Sequence, residues 1–268
     1  MCSSNTNVGH NNKNPLVITT GWSKPLSQNI IQHIYRVNAL RDLAGQLGLM
    51  PKIHQLQYWQ CARLLISHDD LAKQQRYQKA MAFFVEELYG PKDFSQRDAD
   101  LVRVIPKLAK VLPDKAMNAM NDALSLNALS FDLDMAMAQY LTQHYPDSDI
   151  DRDNYAEAYR SVGRSEDRAH QIDIISHLGD QLAEVIKVRG IGMLISLSRR
   201  PAKMAGLLAL HEFLERGFNA FKAIGDVQSF IHPVLNREKT LMQALFAEDL
   251  VLPQDNPLPK VHLEQGLF

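Results

Sequence analysis

Very little in this sequence marks a familiar chemistry. Its 268 residues hold two cysteines, Cys2 and Cys61. That is too few for a disulfide framework and points to a reducing, cytoplasmic setting. No run approaches the ~18 consecutive apolar residues that a membrane span requires, so no membrane partner is expected. A cationic excess is missing too. With 29 Lys and Arg against 30 Asp and Glu, the formal net charge is −1. Nothing global is available to neutralise a phosphate backbone, and no nucleic acid is expected.

The motifs of common enzymes are also absent. No Glu has a His three residues later, which excludes the paired helical ligands of a ferritin-like di-iron site. There is no His-Glu-x-x-His, paired Cys-x-x-Cys, Gly-x-Ser-x-Gly or P-loop. Gly190-x-Gly192 lacks the third glycine and the preceding strand of a dinucleotide fingerprint, and the nearby Arg189, Arg199, Arg200 and Lys203 suit a solvated surface equally well. His170, Asp173 and His177 share a helical stripe. The apolar stripe of that helix faces elsewhere, so these three are expected in solvent. No metal and no cofactor are expected.

What is present is helical periodicity, and with it a substantial core: 46% of the residues are hydrophobic and 22% charged. Apolar residues recur at three- and four-residue steps over nine segments, at about 26–47, 53–66, 75–90, 95–112, 114–144, 152–162, 166–188, 202–224 and 227–247. Glycines and prolines such as Gly48, Pro51, Gly163 and Gly225 separate them. Alternating strand patterns and internal repeats are lacking. The expectation is an all-α fold, a single multi-helix bundle of about nine helices with no significant sheet.

The Asn-rich opening lacks the cationic start and apolar stretch of a signal peptide, so residues 1–24 are read as a disordered leader. The helical domain takes 25–250, and a proline-containing extended tail takes 251–268. Ser95 is a natural N-cap, with Asp98 in the third position of a capping box and Asp100 adding charge to the first turn. The segment 114–144 is apolar around most of its circumference, which suits a central helix.

Placing each helix at ~100° per residue puts several charged groups on faces that should be buried. Glu87 lies beside the stripe of the third helix, and Arg97 aligns with Leu101, Val104 and Ile105. Asp132 lies near Leu129 and Leu133, while Asp134 faces another, also apolar, side. His211 sits among Leu207, Leu214 and Phe218, with Glu215 one turn along and placed to orient its ring. Arg237 lies between Val234 and Leu241, flanked by Glu238. Unpaired burial costs several kcal/mol, so these groups should pair with one another or with a ligand.

The run FFVEELYGPKDFSQRDADLVRVIPKLAKVLP, from Phe83 to Pro113, resembles an uncharacterised family of bacterial helical proteins named for its FFLEELY motif. Val85 here replaces the motif's leucine. The segments DALSLNALSFDLD, AYRSVG and RGFNAF are similar too, so the resemblance extends from about Trp59 to the last helix. It implies a bacterial origin and an all-helical fold, but no activity, cofactor or catalytic residue.

Two functional readings follow. The first is a non-enzymatic cytoplasmic scaffold or regulatory protein that acts through a protein partner or as a homo-oligomer, and it expects no deep pocket. The alternative is a small-molecule-binding or enzymatic bundle. Its site would draw on Glu87, Arg97, Asp132, His211, Glu215 and Arg237, with His211 moving protons and the arginines holding an anion.

Overall fold

The computed structural model describes residues 26–84, 95–110 and 112–261, with only the backbone of Ser95 and Gln96. Among them it is all helix and turn, with no strand. The order is α1 (Leu26–Gln46), α2 (Met50–Ser67), α3 (Asp69–Ala72), α4 (Gln75–Phe83), α5 (Ser95–Leu108) and α6 (Asp114–His144). It continues through α7 (Arg152–Val162), α8 (Ser165–Val185), α9 (Ile191–Met204), α10 (Leu208–Ile224) and α11 (Gln228–Leu245).

Eleven helices among the described residues replace the nine read from periodicity, for two local reasons. The one-turn α3 is too short to show a period. The segment read as one helix over 202–224 is broken by Gly206, which takes the left-handed conformation (φ 71°) that ends α9 before α10 begins. Pro51, read as part of a stop, opens α2 instead, because the first turn has no use for the missing N–H. The continuation of the third predicted helix to Gly90, with Glu87 and the end of the FFVEELY run, lies outside the described residues.

Helix α6 packs against α1, α2, α7 and α8, which is why apolar residues occur around most of it. Ile30 and Ile34 of α1 join Leu101 and Ile105 of α5 on one side. Leu56 and Trp59 of α2 meet Met137, Leu141 and Tyr155 on another, with Trp59 and Tyr155 stacked at 4.3 Å. A third cluster lies away from α6: Phe83 of α4, Phe221 of α10 and Phe230 of α11 pack together.

Local sequence explains the sharpest boundary. Asp151 accepts from the backbone of Asp153 and Asn154 while the Asn154 side chain accepts from the Asp151 N–H, a reciprocal cap for α7. After α11 the chain turns back. The Asn256 amide donates to the Arg152 carbonyl and Leu258 is buried against the α7 cluster, so residues 256–258 dock on α7.

Candidate functional site

Four helices point a matching stripe at one pocket. Helix α6 supplies Asn127, Ser130, Phe131 and Asp134, and α8 supplies Arg168, Gln171, Ile172 and Ile175, both at the i, i+3, i+4, i+7 spacing of a single face. Helix α2 adds Gln57, Gln60 and Arg63 with His68 just beyond its end, and α11 adds Ile231, Val234, Leu235 and Glu238. Tyr155 and Tyr159 of α7 complete the lining. The pocket holds about 190 Å³.

Two buried ionic groupings edge it. Arg63 lies 2.6 Å from both oxygens of Glu238, and His68 Nε2 meets the same carboxylate at 2.9 Å. Burial alone would push the Glu238 carboxyl up, but the charge of Arg63 and the hydrogen bonds from His68 and Arg63 together hold it at about 2. An ionised carboxylate only accepts, so His68 carries a proton on Nε2. Its buried Nδ1 has no hydrogen-bond partner among the described residues.

The second grouping centres on Asp134, which receives one hydrogen bond each from Gln60 and Gln57 at 3.1 Å. Burial pushes its carboxyl above the ordinary range, against the pull of Arg168's charge and the two amides. Arg168, 8% exposed, donates to the Gln171 side-chain oxygen at 3.3 Å and to the Met137 sulfur at 3.0 Å. Its guanidinium lies 4.7 Å from the Tyr159 ring centre. Gln171 in turn donates to Ser130 Oγ at 2.7 Å. Nearby, burial and the Asp134 charge push the Cys61 thiol up to about 12, which leaves it without nucleophilic character.

The candidate site residues Arg97, Asp132, His211, Glu215 and Arg237 are not brought together and none of them lines this pocket, whereas Asp134 and Glu238, noted beside them in the sequence, do. Arg97 stacks over Phe213 of α10 at 4.9 Å and reaches Asp98 at 3.4 Å, which accounts for a cation in a first turn. Asp98 is fully buried and also takes Arg41 of α1 at 3.0 Å, so it ties α5 to α1. Asp132 is shared by Arg36 and Arg164, each at 3.1 Å. Arg237 is 42% exposed and forks onto Asp70, not into the core.

His211 is buried as expected, yet Glu215 does not orient its ring. The nearest nitrogen to oxygen approach is 4.0 Å, beyond hydrogen-bond reach, and Glu215 pairs with Arg199 at 2.8 Å. Nε2 donates instead to the Ile195 carbonyl at 2.7 Å. His170, Asp173 and His177 are exposed, and His177 pairs with Asp122 at 2.7 Å. Among the described residues no group of three His, Cys, Asp or Glu is placed to hold a metal.

The polar residues that do line the pocket were missed for a recognisable reason. Asn127, Ser130, Gln57, Gln60 and Gln171 carry no charge and blend into an ordinary polar face. The usable signal was their repeat at three and four residues beside a single buried charge on each helix. On α11 the inward face holds Ile231, Leu235 and Glu238, one residue round from the stripe through Arg237.

These features define a helical bundle with a pocket of mixed polar and apolar lining. The chain belongs to a family described as a domain of unknown function (DUF8198), which matches residues 40–251. That agrees with a resemblance carrying no assigned activity. No curated protein and no solved structure matches the chain.

Proposed function

We propose that this bundle binds a small organic molecule in the pocket between α2, α6, α8 and α11. The observation that carries the reading is the pocket's mixed lining. Arg168, Asp134, Gln60 and Glu238 supply polar groups, and Ile172, Ile175, Phe230 and Ile231 supply apolar wall. A ligand site commonly combines an apolar wall with a few convergent polar groups. A dry cavity of about 150 Å³ accommodates benzene. On that scale 190 Å³ suits a molecule of about eight non-hydrogen atoms.

Screening the purified full chain against small amphipathic molecules by thermal shift and protein-observed NMR tests this reading. Binders should perturb Ile172, Ile175 and Ile231, and Ile175→Phe, which fills the wall, should abolish binding while the fold persists. A screen without binders, or binders that ignore the filled wall, would overturn it.

A second reading, action through a protein partner, is favoured by α9. Met193, Leu197 and Met204 are 69%, 69% and 90% exposed along one face of that helix, beside Arg200 and Lys203. The check is Leu197→Glu. If α9 is the contact face, this variant should lose a self-association or partner complex seen with the unaltered chain; unchanged assembly would remove the reading. A cytoplasmic setting is supported by the buried free thiol of Cys61.

A further inference from the structure

Of the arginines that line the pocket, Arg168 differs in its contacts. Arg63 is held by Glu238, and Arg41, which also reaches the pocket, is held by Asp98. For Arg168 the structure shows a thioether, an amide oxygen and a tyrosine ring as neighbours, with no carboxylate within ion-pair distance among the described residues. A thioether is a weak acceptor, and neither acceptor is charged. Asp134 influences Arg168 only through space, because its two oxygens are taken by Gln57 and Gln60 and no hydrogen bond joins it to the guanidinium.

A buried guanidinium without a counterion in contact is costly, and an anion placed against its fork relieves that cost. The number of charges narrows the choice. One guanidinium without a carboxylate in contact suits one negative charge, whereas a phosphate dianion would bring a second into a pocket that Asp134 and Glu238 already line. The volume admits about eight non-hydrogen atoms.

Resting on the pocket reading above, we infer that the ligand class is a small monocarboxylic acid with an apolar body. Its carboxylate is held by Arg168 at the α6–α8 side, and its aromatic or aliphatic body lies against Ile172, Ile175 and Ile231. Gln171 and Ser130, already bonded to each other, hold the Arg168 side chain in place from below.

The test compares acids with uncharged twins. Benzoate, phenylacetate and hexanoate, each beside its primary alcohol, are titrated into the purified full chain near neutral pH by calorimetry and NMR. At least one acid should bind about tenfold or more tightly than its alcohol. Arg168→Met, checked for native circular dichroism, should erase that preference while still binding the alcohol. Alcohols that bind the unaltered chain as tightly as the acids, or a preference that survives in Arg168→Met, would overturn the carboxylate inference and leave the pocket reading standing. If none of the six binds, the carboxylate inference falls, and the wider screen with Ile175→Phe decides the pocket reading separately. If Arg168→Met does not fold, the acid-to-alcohol ratio in the unaltered chain still decides.

Discussion

Arg63 on α2 holds Glu238 on α11 through contacts of 2.6 Å to both carboxylate oxygens, bridging helices 175 residues apart in the chain. His68 adds a third contact to the same group. The pair sits at the pocket edge with side-chain exposures of 9% and 21%, so water screens it weakly.

Replacing Glu238 by Gln should therefore destabilise the protein by roughly 3–5 kcal/mol, because Arg63 loses its carboxylate while remaining buried. Arg63→Met combined with Glu238→Gln should cost less than the sum of the single changes. Urea denaturation of the four proteins measures the coupling. Additive losses would mean that the contact contributes nothing specific.

The same carboxylate sets an acid dependence. Its folded value of about 2 lies below the ordinary 4.5, so the unfolded chain binds the extra proton between those values. Stability from this group is complete above about pH 4.5 and is lost as pH falls toward 2, a loss of roughly 3 kcal/mol. Asp134 acts in the opposite sense: raised by burial, it favours the fold below its ordinary range, and that contribution disappears as pH rises through its folded value. Denaturation of the unaltered chain and Glu238→Gln from pH 7 to 2.5 separates them. The variant should show a shallower acid decline, and parallel declines would assign it to other groups.

Gly217 offers a test in which local and tertiary preferences disagree. Alanine is the better helix former by about 1 kcal/mol. A Cβ at Gly217, however, would stand 2.9 Å from Cζ of Phe83, whose ring is held by Phe213 and Phe221. Gly217→Ala should lower the midpoint of thermal unfolding, with a net loss of about 1–3 kcal/mol. A rise in the midpoint would show that the α4–α10 contact relaxes freely.

Much of the architecture was legible. The i, i+3, i+4 periodicity located the main helices, Gly163 ended α7 as read, and the all-round apolar surface of 114–144 identified the helix that others surround. Helix α9 was not legible, because it buries only Ile191 and leaves Met193 and Leu197 in solvent, so its apolar residues trace no core stripe. Asp98 fits a cap by its position, a reading that rests on the Ser95 side chain outside the described residues, and its carboxylate also takes Arg41 and Arg97. A capping spacing and an interhelical ion pair look identical in one dimension.

The site shows where local information ends. Asp132 and Asp134 are two residues apart on a helix with apolar neighbours on most sides, and Arg237 and Glu238 are adjacent on α11. Rotating such a helix by 100–200° leaves its own energetics almost unchanged. The sequence by itself determined that the chain is helical, where most helices stop and that charged residues must enter the interior. Only the tertiary structure decided which ones. The packing of α2, α8 and α11 selects the faces, and it turned Asp134 and Glu238 toward the pocket while leaving Asp132 and Arg237 to pair elsewhere.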